Sequence, residues 1–326
     1  MMSLAARLLR LLGVLLMLSA VALALSRAPD RAPETLVARW AMPPSDFIDV
    51  KGQLVHLRDE GPRDDAAPLL LLHGTGASLH TWDGWAAALA PRKRVIRVDL
   101  PGFGLTGPFS GAYAPDDYRG DTYARFVLDL LDALRVPRAS IGGNSLGGEV
   151  AWRAVSLAPQ RFDRLILVDA TGYAFTPDEV PLGLRVARIP LLNRLGEHLL
   201  PRAVVAASLR SVYGDPSRIN ETLAERYFEL ALREGNRRAL RLRLQQLEMG
   251  EHAERIKALA LLPWCCGAAA TASCPPPTPN ASSATSVAPA WSCSTAWAMC
   301  RRKKTRCAPW RPSPNFWRPI DEPHQA

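Results

Sequence analysis

The chain has 326 residues, 48% of them apolar and 22% charged, with 22 Gly, 28 Pro and 6 Cys. That length suits one large domain or two modest ones with a real core, and the composition excludes wholesale disorder and a multi-span membrane protein. The net charge of +9 gathers at the end: residues 264–326 carry seven basic and two acidic groups, leaving +4 over residues 1–263 and no basic stripe for a nucleic acid.

At the N-terminus, Arg7 and Arg10 precede an apolar run from Leu11 to Leu25, followed by Ser26, Arg27 and a Pro-rich stretch to Pro33. A basic start, an apolar segment and a polar exit predict either a signal peptide or an uncleaved anchor. Small residues at Ala20, Ala22 and Ala24 offer a cleavage site. Both alternatives send the remaining chain across a membrane, so it is expected to be secreted, periplasmic or anchored.

From residue 46 strands and helices alternate. Asp46–Asp59 reads as two short strands about Lys51–Gly52, and Leu69–Leu72 as a wholly apolar strand of the kind covered on both faces. A helix over Trp82–Leu89, a strand over Val95–Val98 and an amphipathic helix over Thr122–Leu134 follow. Ser140–Gly142 ends a strand, Leu146–Leu157 is helical and Leu165–Val168 is another apolar strand. This alternation predicts an α/β fold, a doubly wound, mostly parallel sheet. Residues 177–258 lack strand signals and read as helices capping the sheet's C-terminal edge, where such folds bind ligands.

Gly142-Gly143-Asn144-Ser145-Leu146-Gly147-Gly148 falls between a strand and a helix, the context that gives G-x-S-x-G its meaning. Gly143 and Gly147 permit a tight elbow that lifts the Ser145 hydroxyl to the sheet edge as a candidate nucleophile. The helix beginning at Leu146 presents free N–H groups. Upstream, Leu72-His73-Gly74-Thr75-Gly76 leaves an apolar strand and offers a second loop. The Leu146 and Thr75 amides are thus candidate oxyanion donors, a contribution of a few kcal/mol to an acyl-transfer barrier.

In LLLLHGTGASLHTW (Leu69–Trp82), VDLPGFG (Val98–Gly104), GGNSLGG (Gly142–Gly148) and RLILVDATGY (Arg164–Tyr173) the chain resembles the α/β-hydrolase superfamily, in its serine-nucleophile, capped branch. The resemblance covers about residues 46–258. It implies a Ser–acid–His triad, the acid following a seventh strand and the His preceding the last helix. Haloalkane dehalogenases share the scaffold but place Asp at the elbow, so Ser145 argues against their chemistry. The expected organisation is a leader over 1–26, a linker over 27–45, an α/β-hydrolase core over 46–176, a helical cap with its return helix over 177–258, and an aberrant, disordered tail over 259–326.

A serine needs a base, itself oriented by an acid. His56 falls on an early strand, His73 in the oxyanion loop with a structural ring, His80 near the mouth, His198 and His252 in or beside the cap, and His324 near the C-terminus. None follows a strand in a Gly-x-Gly-His context, and no Asp follows a seventh strand. Asp169, after the sixth strand, is a fallback acid, although a capping or structural role suits it better. The catalytic acid and His are therefore not present in matching positions, and the fold is C-terminally incomplete.

The tail has its own composition. All six cysteines, five of nine tryptophans and ten prolines lie in residues 264–326, with no leucine. Without large aliphatics it is expected to form no strand or helix that buries a face. Its codons suggest a shifted reading frame. Read one base out, Trp264-Cys265 and Met299-Cys300 must each give Val, and residues 262–275 allow T-L-V-L-W-G-G-R-D-R-L-V-P-P. Residues 290–306 allow V-V-V-L-D-G-V-G-H-V-P-Q-E-E-D-P, and residues 314–318 allow E-F-L-A. Those segments resemble the family's seventh strand with its acid, its catalytic-His loop and the end of its last helix. The alternative is an exported segment with three disulfides.

Function divides three ways. The protein is a serine hydrolase of a small or medium apolar ester, lactone or C–C-cleavable ketone, or a catalytically dead frameshifted fragment, or a non-catalytic ligand-binding module on the same scaffold. No metal, organic cofactor or protein partner is expected.

Overall fold

The computed structural model describes residues 4–172, 189, 194, 196–213, 215–248, 250, 252–259 and 265–268. The sheet is built from β1 (Ser45–Val50), β2 (Gln53–Glu60), β3 (Leu69–Leu72), β4 (Val95–Val98), β5 (Ala139–Asn144), β6 (Phe162–Val168) and β7 (Cys265–Ala268), in the order β1-β2-β4-β3-β5-β6-β7. β1 and β2 form an antiparallel hairpin turned by Lys51 (φ 55°) and Gly52 (φ 85°), and β2 runs antiparallel to β4. All remaining pairs are parallel, giving the doubly wound architecture that the alternating pattern predicts.

Alternate residues of the short central strands feed two cores, as a pleat requires. Leu70, Leu72, Ile96 and Val98 pack with α4 (Gly120–Ala133) and α5 (Leu146–Leu157) on one face. Leu69, Leu71, Val95 and Ile166 pack with Trp82, Trp85 and Leu89 of the 3-10 turn Leu79–Trp82 and α3 (Asp83–Leu89) on the other. Because both faces are covered, these strands are continuous apolar runs.

The helix α1 (Leu4–Leu25) carries exposed Leu9, Leu11, Leu12 and Leu16. Among the described residues no helix is long and apolar enough to cross a membrane. The stretch expected as a linker contains α2 (Pro33–Trp40), whose Leu36 and Trp40 are buried against Leu105 and Leu230. Two buried apolar residues one turn apart form a docking stripe that the Pro-rich approach conceals in the sequence.

Of the expected cap, α6 (Arg202–Val212), α7 (Glu221–Ala231), α8 (Asn236–Gln245) and α9 (Ala253–Leu259) are described. Asn236 donates to the Gly104 carbonyl at 3.0 Å, and the Tyr118 amide donates to Gln246 at 2.7 Å. Both bonds seat α8 on the loop leaving β4, at the sheet's C-terminal edge. Arg243 on α8 pairs with Glu149 on α5, both almost wholly buried, and Arg153 donates to the same carboxylate at 3.1 Å.

Within the tail, Cys265–Ala268 pairs in parallel with Leu165–Val168. A ladder needs only backbone N–H and C=O groups, and the open edge of β6 supplies their partners without large aliphatic residues. The remainder of the tail, including the shifted-frame segments and His324, lies outside the described residues, as do residues 173–188 of the expected cap.

Candidate active site

The elbow follows from local sterics. Ser145 sits between β5 and α5 at φ 52°, ψ −113°, a conformation that costs a non-glycine residue about 1–3 kcal/mol. A Cβ on Gly143 would lie 2.1 Å from the Gly147 carbonyl oxygen, and one on Gly147 would lie 2.2 Å from that of Leu72. Only glycine fits at either position, so strand, turn and helix close on one another. The Ser145 amide donates to the Val168 carbonyl at 3.0 Å, and the Thr171 amide donates to the Ser145 carbonyl at 3.1 Å. Asn144, which carries no assignment from the sequence, adds a bond from its carboxamide to Val168 O at 3.1 Å.

The second loop arrives beside it. A Cβ on Gly74 would lie 3.3 Å from the Ser145 Cβ and 2.8 Å from Asn144 Oδ1, so the His73–Gly76 turn abuts the elbow. Leu146, the first residue of α5, is buried, whereas Thr75 is exposed on the opposing loop. Ser145 is half-buried between them. The structure therefore brings Ser145, Leu146 and the Gly74–Thr75 turn into one corner.

His73 has both ring nitrogens occupied. Nδ1 donates to the Gly74 carbonyl at 2.8 Å and Nε2 accepts from the Leu100 amide at 3.0 Å, fixing a neutral ring. Burial pushes its pKa down, which fits the structural role expected of it. His80 is buried, donating from Nε2 to the Trp40 carbonyl at 3.1 Å, and burial lowers it to about 4. His56 contacts Asp99, and His252 contacts Glu248 at 2.9 Å. The His198 carbonyl accepts from the Ala28 amide, placing that residue where the cap meets the N-terminal segment. Among the described residues, no histidine bonds to Ser145.

Asp169 follows Val168 at φ 46°, and its Oδ1 is buried with no hydrogen-bond partner among the described residues. Burial raises its pKa to about 6. Asp99 is the group for which the sequence assigned no role. It accepts from the Leu79 amide at 2.7 Å and the Leu105 amide at 2.8 Å, fastening the loops after β3 and β4 together. Its place in VDLPGFG was the available signal, because an acid at a strand end before a Gly-rich loop has free amides to bind. Cavities of about 220 Å³ beside Phe228 and about 390 Å³ beside Leu57 are described, and neither includes Ser145 in its lining.

A strand–elbow–helix carrying serine, set on a mostly parallel sheet beside a His-Gly loop, defines a class of enzyme scaffold. The sequence profile of the alpha/beta hydrolase fold matches residues 67–266, and the chain belongs to that family. A 2-hydroxymuconate semialdehyde hydrolase from a Pseudomonas species is 33% identical over 131 residues, covering 39% of this chain and 44% of that protein. An uncharacterized protein from Mycobacterium tuberculosis is 40% identical over 123 residues, 38% of this chain and 34% of its own length. The matches to these curated relatives span less than half of their length. Among solved structures, the meta-cleavage product hydrolase from Pseudomonas fluorescens is 25% identical with a TM-score of 0.55, covering 68% of this chain and 78% of that one.

Proposed function

We propose that the protein is a serine hydrolase in which Ser145 attacks the carbonyl of a small, apolar ester, lactone or C–C-cleavable ketone. The carrying observation is Ser145 at positive φ, on an elbow only glycines permit, against the Gly74 turn. A base takes the Ser145 proton, the Leu146 and Thr75 amides hold the oxyanion, and water releases the acyl group. The printed names of hydrolase relatives that act on semialdehydes and meta-cleavage products support the carbonyl substrate class.

The base and the acid belong to the neighbouring reading frame of residues 262–318. Two features support this. The family match runs into the tail as far as residue 266, and the edge of β6 is occupied by Cys265–Ala268, where an acid-bearing strand would pair. Among the described residues the chain as it stands then has no base for Ser145, which makes it a catalytically dead fragment. The histidine partners described above favour that second reading for this polypeptide.

The helix α1 directs export as a signal peptide or anchor, supported by its exposed leucines behind Arg7 and Arg10. N-terminal sequencing of the protein recovered from cell fractions separates cleavage from retention.

A fluorophosphonate probe with peptide mapping tests the nucleophile. The chain restored by one base near codons 258–263 is expected to be labelled at Ser145, and its S145A variant is not. An unlabelled restored chain overturns the nucleophile. Labelling of Ser145 in the unrestored chain overturns the dead-fragment reading.

A further inference from the structure

A second serine, remote from the elbow, is wired into a charge relay. Ser45 opens β1 and pairs with Arg58 across the hairpin. His56 lies two residues from Arg58 on β2, hence on the same face and diagonal to Ser45. Asp99 follows the end of β4, the strand paired with β2, and its amide donates to the His56 carbonyl at 2.9 Å. This packing brings three side chains into one line: Ser45 Oγ is 2.9 Å from His56 Nε2, and His56 Nδ1 is 2.7 Å from Asp99 Oδ2.

The carboxylate end of the line fixes the ring's Nδ1 proton. Asp99 and His56 are completely buried, and the Asp99 carboxylate also accepts the Leu79 and Leu105 amides. Burial alone would raise its pKa, but the hydrogen bond from His56 holds it well below the ordinary carboxylate range. An ionised carboxylate only accepts, so His56 Nδ1 carries a proton, and in the neutral ring the Nε2 lone pair is the atom that faces Ser45. Arg58 Nε donates to Ser45 Oγ at 3.0 Å, which leaves the serine's own proton for His56. The chain of donation runs from Arg58 to Ser45, to His56, to Asp99.

A hydroxyl, a base within hydrogen-bond reach and a carboxylate that fixes the base's tautomer are the parts of an activated nucleophile. A guanidinium beside the oxygen adds what the oxygen needs as its proton leaves. We propose that Ser45 is a second reactive serine, taking acyl or phosphonyl groups from activated esters with His56 as its base and Asp99 orienting that base. Four strand spacings separate β1 from β5, about 19 Å, so Ser45 and Ser145 cannot share one bound substrate. Ser45 is half-buried beside the turn closed by its amide on the Met42 carbonyl, and Met42 is 58% exposed, so a reagent approaches along that turn. With a fluorophosphonate, Ser45 Oγ bonds to phosphorus as the P–F bond breaks and fluoride leaves. The hydroxyl proton passes to His56 Nε2. With an ester donor, the departing alkoxide takes that proton.

The test uses the full chain with S145A, so that labelling at the elbow is absent. A fluorophosphonate is expected to modify the peptide bearing Ser45, and S45A in that background to abolish it. His56→Gln keeps a donor for Asp99 but removes the base, and is expected to slow labelling about a hundredfold. Circular dichroism confirms that each variant remains folded. An S145A protein that is folded and unlabelled at Ser45 overturns the proposal, as does labelling at Ser45 that H56Q leaves unchanged. If H56Q fails to fold, the S145A and S45A/S145A pair still decides, because the S145A protein alone shows whether Ser45 is labelled while every member of the line is in place. Labelling of Ser145 is read separately in S45A, so failure at one serine leaves the other standing or falling by itself.

Discussion

The Ser145 amide and the Val168 carbonyl are joined at 3.0 Å, which fastens the elbow to β6 as well as to its own strand. The Thr171 and Glu149 amides both donate to the Ser145 carbonyl, at 3.1 and 3.0 Å. The peptide groups on either side of Ser145 are thereby gripped, and the residue is held at a positive φ that an isolated serine would leave. Backbone strain of this kind persists only where its surroundings over-determine it.

That strain is measurable. Glycine occupies φ 52°, ψ −113° more easily than any residue with a Cβ. S145G is therefore expected to raise unfolding free energy by about 1 kcal/mol relative to S145A, after the greater chain entropy of glycine is counted. Urea unfolding of the two variants checks the order, and S145A being the more stable would contradict a strained elbow.

The elbow glycines are steric requirements. A Cβ at residue 147 would meet Leu72 O at 2.2 Å and His73 O at 2.7 Å, both backbone atoms that cannot swing aside. G147A is expected to destabilise by about 3 kcal/mol. Gly84 has open space within 4 Å, so G84A on α3 is expected to change stability by less than about 1 kcal/mol. Thermal unfolding of the pair separates close approach from general glycine effects.

The Glu229 carboxylate pins the N-terminal segment. It accepts from Trp40 Nε1 at 2.7 Å, Arg31 at 2.6 Å and Arg39 at 2.9 Å, and is itself buried. E229A leaves a buried indole N–H without its acceptor and is expected to cost about 2 kcal/mol. Trypsin cleavage after Arg31 and Arg39 should accelerate severalfold if local release of residues 26–41 opens them. An unchanged digestion rate would mean that Leu36 and Trp40 hold the segment by burial alone.

The core and the elbow were legible because their residues obey one local rule. Leu69–Leu72 is apolar at every position since both faces are covered, and Gly143 and Gly147 announce a close approach by lacking a side chain. The docking of residues 27–45 was not legible, because it depends on Leu36 and Trp40 meeting Leu105 and Leu230 across a long sequence separation. The β7 pairing was missed for a related reason: its ladder depends on the edge offered by β6, which the composition of the tail does not encode. The two strands about Lys51–Gly52 were readable over Asp46–Asp59, but Ser45 lay outside that span and nothing in it pointed to Asp99. A relay across three strands becomes visible only once the sheet order is known.

Asp169 supplies a pH-dependent test of its own environment. Its carboxyl is raised from 3.8 to about 6 by burial, and Oδ1 has no partner among the described residues. The folded state then holds this proton over a range where the unfolded state has released it, so the group's contribution to stability falls as pH rises from about 4 to about 6. Below that window the two states are equally protonated and the penalty vanishes. Above it the penalty is complete, on the order of 2 kcal/mol once partial solvent access is discounted. Asn tolerates φ 46° as well as Asp does, so D169N removes the charge without disturbing the backbone. It is expected to stabilise the protein by that amount at pH 8 and to leave stability unchanged at pH 4. Chemical unfolding across this range gives the difference curve, and a difference independent of pH would show that Asp169 is solvated or paired in the folded protein.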